Sequence, residues 1–166
     1  ATVWPFTKSL KKQKGYKESW HTPNHARDTI LDMIAKDSVS LIALGNGTAS
    51  RDMESWLLEV LESQNLKIPY AVVNEAGASV YSTSEEARRE FGDLDPLAIG
   101  AISIARRLQD PLSELVKVPP SSLGVGMYQH DIPPKELEKR LNTVVSTVVS
   151  SIGVNVNTAS VALLRH

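Results

Sequence analysis

The chain has 166 residues, of which 42% are hydrophobic and 22% charged, with a formal net charge of -1 and no cysteine. These values are near the globular averages and exclude a fibrous or disordered protein, while the lack of cysteine excludes disulfides, thiolate zinc sites and cysteine nucleophiles and fits a reducing, intracellular compartment. No apolar run reaches the length of a membrane-spanning helix, and with so small a net charge any contact with nucleic acid must come from local patches.

The amino-terminal part is predicted to contain a strand, a basic loop and a helix. The strand covers Ala1–Phe6, and five lysines and further aromatic residues lie between Trp4 and Trp20. Lysines mixed with aromatic residues are typical of surfaces that hold single-stranded nucleic acid through charge and stacking, which makes Lys11 and Lys12 candidates. A solvated loop is the alternative. Apolar residues at steps of three and four then predict a helix that begins near Pro23.

A buried strand and the clearest helix of the chain follow. The apolar run Val39–Leu44 ends in a glycine-rich turn, as expected after a buried strand. The helix after it has one apolar face, formed by Met53, Trp56, Leu57, Val60 and Leu61. Either Thr48 or Ser50 is expected to cap its start, because a hydroxyl at that position can accept a hydrogen bond from the first helical turn.

The next segments repeat this alternation. Tyr70–Val73 is predicted as a strand, residues 84–91 as a helix, and residues 96–109 as a further helix. The buried stripe of that last helix is predicted to be Ala101, Ile104, Ala105 and Leu108. Strands that alternate with helices imply parallel strands joined by right-handed crossovers, and hence an α/β layered domain. Pro133 and Pro134 then open a long helix that ends at Gly153.

Two polar loops come directly after the predicted strands. Ligands of such sheets usually lie beyond the carboxyl ends of the strands, so both loops are expected on one edge. In the first loop, backbone N–H groups together with polar side chains could hold a phosphate, those side chains being Asn46, Thr48, Ser50 and Arg51. A tight turn before a helix is the alternative, since the loop lacks the lysine of a P-loop.

The second loop carries Asn74 and Glu75. A carboxylate at the end of a strand can bind Mg²⁺, but a two-metal nuclease site needs three or four acidic ligands that converge from different elements. Glu75 is the one carboxylate that is well placed, and a hydrogen-bonding or capping role is the alternative. The four histidines are too scattered to form a recognisable metal site. No metal and no other cofactor is therefore expected.

Adjacent arginines lie near the end of the 96–109 helix. Arg106 and Arg107 share a polar face with Ser103 and Asp110. A guanidinium group matches the geometry of phosphate oxygens, which makes both arginines candidates for nucleic-acid contacts. The alternative is an ion pair with a neighbouring carboxylate such as Asp93 or Glu90.

Five sequence blocks in the same order resemble the Tex family of transcription accessory proteins. The blocks are Leu44–Arg51, Val73–Ser82, Gly100–Leu112, Gly124–Asp131 and Gly153–Ser160. The resemblance covers nearly the whole chain from Val39 onward, and more loosely the residues before it. The lysine-rich loop and Met127 look more like the eukaryotic S1-domain-containing relative than the bacterial proteins.

The resemblance implies a fold, a domain division and partners. Residues 1–117 are expected to form an RNase H-like domain of the YqgF, or resolvase, type that lacks its first strands. Residues 118–166 are expected to form a connector and an all-helical start of a helix-hairpin-helix region, with an S1 RNA-binding domain beyond this chain. The implied partners are RNA or DNA, the transcription or translation machinery, and the remaining domains of a longer protein in the nucleus or cytoplasm.

The chain departs from active resolvase-like relatives at their acidic positions. Those relatives carry an aspartate in a first strand that this chain lacks, and an Asp-Glu pair where Asn74 and Glu75 stand here. A further aspartate would lie near Gly100, on the face that here carries Ser103 and Arg107. The resemblance therefore implies a non-catalytic nucleic-acid-binding scaffold.

Two alternatives to this reading remain open. One is a divergent metal-dependent nuclease that uses Glu75 together with Asp93, Asp95 or Asp110. The other is a purely structural domain that positions its neighbours.

Overall fold

A computed structural model describes residues 23–166, with side chains from residue 26 onward. The predicted strand Ala1–Phe6 and the basic loop with Lys11 and Lys12 lie outside the described residues. The elements are α1 (Pro23–Asp37), β1 (Ile42–Gly45), α2 (Ser50–Ser63), β2 (Tyr70–Val73), α3 (Ala78–Ser82), α4 (Glu85–Phe91), α5 (Pro96–Gln109), α6 (Pro111–Leu115), α7 (Pro134–Ile152) and α8 (Val161–Leu164), with short 3-10 helices at Pro120–Leu123 and Gln129–Asp131.

The two strands form a parallel pair in which Gly45 lies opposite Val73. This arrangement confirms the predicted mixture of helices with a small parallel sheet, and α2 provides the crossover between the strands. The first strand begins at Ile42, three residues after the predicted start at Val39. The physical reason is local, because the Val39 N–H donates to the Ile34 carbonyl at 3.4 Å at the end of α1.

The start of α2 differs from the prediction in its cap. Ala49 occupies the cap position, and no side chain there accepts a hydrogen bond from the helix. Ser50 is already the first helical residue, and its N–H donates to the Gly47 carbonyl at 2.9 Å. Thr48 lies exposed, one residue before the cap. The predicted capping role of Thr48 or Ser50 is therefore wrong.

Two apolar clusters hold the helices against the strands and against each other. Leu57 and Leu61 of α2 pack on Ile34 of α1, next to the two strands. The second cluster joins α3, α4, α5 and the segment after α6, and its buried members are Tyr81, Ala87, Ile99 and Val118.

Helix α5 has the predicted length but is turned relative to the predicted stripe. Its buried residues are Ile99, Ser103 and Arg107, spaced by four. This face meets α3, a helix that the sequence does not predict. The expected stripe Ala101, Ile104, Ala105 and Leu108 is only half-buried, and it lines a broad groove shared with α1 and β1. The prediction of that stripe as the buried face is therefore wrong.

The carboxyl-terminal part is helical, as expected. Helix α7 runs from Pro134 to Ile152 and ends at Gly153. Of its side chains Val149 is buried, whereas Val144 and Ile152 are exposed. No helix within residues 23–166 is long and apolar enough to cross a membrane.

Candidate functional site at the strand ends

Two polar loops meet at the carboxyl ends of the strands. The first follows Gly45 and leads into α2, and the second spans residues 74–77. The Asn46 N–H donates to the Val73 carbonyl at 3.0 Å, and the Asn46 side-chain oxygen accepts a hydrogen bond from the Glu75 N–H at 3.1 Å. Asn46 therefore joins the loops, which lie on one edge of the sheet as the strand pattern predicts.

The Glu75 carboxylate lies against the backbone of the first loop. A Cβ at position 45 would come within 2.8 Å of Glu75 Oε2, and a Cβ at position 47 would overlap the carboxylate. Glycine at positions 45 and 47 therefore gives the side chain room. The same carboxylate brings negative charge to the loop that the sequence predicts as a phosphate cradle, so a phosphate on the loop backbone would be repelled by it.

Gly47→Ala is expected to displace the Glu75 carboxylate at little cost in stability. The new Cβ would overlap the carboxylate, but that carboxylate ends an exposed and flexible side chain that can turn toward solvent. We expect a loss of less than about 1 kcal/mol in the free energy of unfolding. An NMR spectrum should show a shifted side-chain carboxyl signal for Glu75. The matched control is Gly100→Ala, because nothing lies within 4 Å of a Cβ there, and an unshifted signal in Gly47→Ala would contradict the expectation.

The candidate residues of the first loop and of the start of α2 differ in their exposure to solvent. Asn46, Thr48 and Arg51 are exposed, and Ser50 is half-buried. The Arg51 carbonyl accepts a hydrogen bond from the Ser55 hydroxyl at 3.0 Å. Its guanidinium has no hydrogen bond or ion pair with another residue in the range 26–166. Among the residues that the structure describes, Arg51 is therefore a cation without a side-chain partner, one turn or less from the strand-end loop.

Arg107 lies beneath the second loop rather than on the surface. It is 5% exposed, and its NH1 group donates to the carbonyls of Asn74 and Ala76, each at 2.8 Å. Burial lowers the pKa of Arg107, and the carboxylates of Glu114 and Glu75 oppose that change. An arginine keeps its proton under these conditions, so the site has a buried positive charge behind Glu75.

Arg106 points away from Arg107 and forms an ion pair. Its NH1 group donates to Glu90 Oε1, which is one of the two carboxylates that the sequence offers as an alternative to a phosphate. The guanidinium also stacks on Phe91, 5.1 Å from the ring centroid. Phosphate contacts by Arg106 and Arg107 stay a prediction, but both groups already have protein partners.

Sequence reasoning missed Glu114 as a residue of this region. Glu114 is 3% exposed and pairs with Lys117 Nζ at 3.1 Å. The spacing of three between Glu114 and Lys117 is a signal for such a pair on a helical turn. Nothing in the spacing indicates that the pair is buried, or that it lies close enough to affect Arg107.

Of the acidic residues named with Glu75, two cap helices, and Asp93 is exposed in the turn between α4 and α5. Asp95 Oδ1 accepts the Leu97 N–H at 3.0 Å at the start of α5. Asp110 accepts hydrogen bonds from the Ser113 hydroxyl at 2.6 Å and from the Ser113 N–H at 3.1 Å at the start of α6, and these bonds lower the pKa of its carboxyl group. In the part of the chain that the structure describes, no three His, Cys, Asp or Glu side chains are grouped as metal ligands would be.

Comparison with known proteins identifies a family and long relatives. The family model described as the Tex protein YqgF-like domain matches residues 2–109. The uncharacterized protein YdcI of Bacillus subtilis is 55% identical over 141 residues, which is 85% of this chain and 20% of that protein. The transcriptional accessory protein Tex of Neisseria gonorrhoeae is 52% identical over 150 residues, covering 88% of this chain and 19% of that protein.

A human relative is similar over the same region. The S1 RNA-binding domain-containing protein 1 of Homo sapiens is 44% identical over 142 residues, which is 84% of this chain and 14% of that protein. The identities to the two bacterial proteins are higher than the identity to the human protein. The likeness of the lysine-rich loop and Met127 to the eukaryotic relative is therefore not accompanied by a higher overall identity. The chain spans about a fifth or less of the length of these relatives.

Proposed function

This chain belongs to the Tex family, whose YqgF-like domain it carries over residues 2–109, and from that membership we propose that it is a non-catalytic nucleic-acid-binding scaffold of a Tex-like protein. The proposed ligand is RNA or DNA. The similarity to a transcriptional accessory protein and to an S1 RNA-binding domain-containing protein supports this choice. The proposed partners are the transcription or translation machinery and the remaining domains of a longer intracellular protein, in the nucleus or the cytoplasm.

The proposal includes a division of the chain. Residues 1–117 would form the RNase H-like, resolvase-type domain, and residues 118–166 a connector that leads into a helix-hairpin-helix region. The end of the family match at residue 109 supports a boundary in this part of the chain. The helices α7 and α8 support the all-helical character of the second part.

The observation that carries the proposal is the Arg51 guanidinium near the strand ends, which has no hydrogen bond or ion pair within residues 26–166. An exposed guanidinium without an ion pair among the described residues can bind phosphate oxygens without first breaking a protein contact. The side chains of Asn46, Thr48 and Ser50 come just before Arg51 in the chain and are proposed to add hydrogen-bonding groups. Glu75 disfavours a phosphate on the loop backbone itself, so the proposed contacts are those of the side chains. Lys11 and Lys12 are proposed to add charge, and Arg106, which would share its guanidinium with Glu90, is a secondary candidate.

The non-catalytic part of the proposal rests on charge at the second loop. Within residues 26–166, Glu75 is the one acidic candidate beside the strand ends. Arg107 brings a positive charge to the carbonyls of Asn74 and Ala76, the residues before and after Glu75. A cation within a few ångströms of a metal-binding carboxylate disfavours a divalent ion, by about 1 to 4 kcal/mol for each charge pair near a surface. A pair of Mg²⁺ ions would also need further carboxylates.

A cleavage assay tests this part directly. With Mg²⁺ or Mn²⁺, we expect the chain to leave branched and single-stranded DNA and RNA intact, because Glu75 alone cannot hold two metal ions. The measurement is product formation on a denaturing gel, with Glu75→Gln as the paired variant. Metal-dependent cutting that disappears in Glu75→Gln would establish the alternative, a divergent nuclease.

Binding measured against salt tests the role of Arg51. Replacing Arg51 with Gln should weaken binding to single-stranded RNA and reduce the slope of log affinity against log salt by about 1, the value for one lost phosphate contact. The matched control is Arg89→Gln, because Arg89 is also exposed (78%) but lies on α4 in a pair with Glu85. Equal slopes for the chain and both variants would favour a purely structural domain.

A further inference from the structure

The guanidinium of Arg107 makes its hydrogen bonds to the backbone of the loop that carries Glu75. The two acceptors, the carbonyls of Asn74 and Ala76, lie on either side of Glu75, and each is 2.8 Å from NH1. The Nε and NH2 groups have no hydrogen-bond partner among residues 26–166. The protein contacts of this guanidinium are therefore directed at one short stretch of backbone.

A buried cation needs compensation, and two features of the site provide it. Carbonyl oxygens are the negative ends of peptide dipoles, and two of them accept from the same nitrogen. Glu114, itself 3% exposed, is close enough for its charge to raise the pKa of Arg107 against the effect of burial. Lys117 in turn pairs with Glu114 at 3.1 Å. The negative charge of Glu114 in α6 thus offsets the buried positive charge of Arg107, while the NH1 group of Arg107 donates to the loop carbonyls.

The hydrogen bond to the Asn74 carbonyl holds the peptide that ends in the Glu75 N–H, and this N–H donates to Asn46 Oδ1 at 3.1 Å. The hydrogen bond to the Ala76 carbonyl holds the peptide between Ala76 and Gly77. Arg107 therefore anchors the backbone before and after Glu75. Asn46 belongs to the loop that leads into α2, and Arg51 lies in the first turn of that helix. Substitution of Arg107 should therefore change the backbone position of both strand-end loops, although Arg107 itself is not at the surface.

We propose that Arg107 is a positioning residue that holds the Glu75 loop against the Asn46 loop, which leads to Arg51 in the first turn of α2, and so acts on nucleic-acid binding through the backbone, without touching phosphate. This inference rests on the proposed function for its effect on binding, but the positioning itself does not. It also reverses the expectation from sequence, in which Arg107 contacts nucleic acid directly. Lysine at this position could still donate to both carbonyls, whereas methionine could not.

Hydrogen exchange tests the positioning. In Arg107→Met, the amides of Glu75 and Ala76 should exchange about tenfold faster, the effect of losing a hydrogen-bond's worth of local stability, and Arg107→Lys should restore most of the protection. Amides in the middle of α2, such as Leu57, serve as the internal control for global unfolding. Unchanged exchange at residues 75 and 76, or the same change at residue 57, would overturn the proposal.

Salt dependence separates a positioning role from a phosphate contact. For single-stranded RNA, Arg107→Met should weaken binding about tenfold or less while leaving the salt slope unchanged, whereas Arg51→Gln lowers the slope by about 1. A slope that falls by about 1 in Arg107→Met as well would overturn the proposal. If the chain binds no nucleic acid under any condition, the proposed function fails, and the hydrogen-exchange result still decides whether Arg107 holds the loop.

Discussion

Gly77→Ala is expected to lower the free energy of unfolding by about 3 kcal/mol, combining the cost of a positive φ for a residue with a side chain and that of an overpacked core. Gly77 has φ +70°, and a Cβ there would overlap Val118 Cγ1 and lie 3.3 Å from the Ser122 carbonyl oxygen. Val118 is 1% exposed in the cluster with Tyr81 and Ile99. Neither the buried valine nor the backbone can move aside without disturbing that cluster.

Chemical denaturation monitored by circular dichroism measures this loss. Gly124→Ala is the matched control, because Gly124 has a similar φ of +68° but nothing within 4 Å of a Cβ. It should lose only about 1 kcal/mol, the conformational part of the effect. Equal losses in Gly77→Ala and Gly124→Ala would show that the contact with Val118 is relieved without cost.

The elements with strong local patterns were predictable from sequence. Helix α2 has its apolar residues on one face, and Tyr70–Val73 is a strand of the predicted length. The parallel pairing followed from the alternation of strands and helices, because consecutive parallel strands need a crossover. The edge shared by Asn46 and Glu75 could therefore be predicted before any distance was known.

The contacts between elements were not predictable in the same way. The five residues of α3 have no apolar periodicity that a short window could detect, and α3 decides which face of α5 is buried. The periodicity of α5 allows a second face, and the structure buries Ser103 and Arg107 on it. A buried arginine has no sequence signature, because its partners are backbone carbonyls 31 and 33 residues away.

Glu90 joins four elements through one carboxylate. It accepts hydrogen bonds from the Tyr81 hydroxyl at 2.7 Å, from Lys117 Nζ at 3.1 Å and from Arg106. Lys117 also lies over the Tyr81 ring, 5.5 Å from its centroid. Burial and the bond to Glu90 raise the pKa of the Tyr81 hydroxyl, so this group keeps its proton and stays a donor at neutral pH. The network connects α3, α4 and α5 to the segment that follows α6.

The charge of Glu90 should make stability depend on acid pH. Burial of the carboxylate raises its pKa, but hydrogen bonds from Arg106, Tyr81 and Lys117 outweigh burial and bring the pKa to about 2, below the ordinary glutamate value of 4.5. A carboxyl group whose pKa is lower in the folded state stabilises the protein above the unfolded value. Its contribution is therefore complete above pH 4.5 and is lost as the pH falls toward 2.

Glu90→Gln is expected to cost about 2 kcal/mol at neutral pH, allowing for solvent screening of a carboxylate that is one-third exposed. The amide can still accept one or two hydrogen bonds, but it leaves Arg106 and Lys117 without their shared counter-charge. Unfolding free energies measured between pH 7 and pH 3 should show the gap between the chain and the variant shrinking as the pH falls. Glu85→Gln is the control, because Glu85 is 85% exposed in its pair with Arg89 and should cost less than about 0.5 kcal/mol. A gap for Glu90→Gln that stays constant down to pH 3 would mean that the shape of the side chain, and not its charge, stabilises the network.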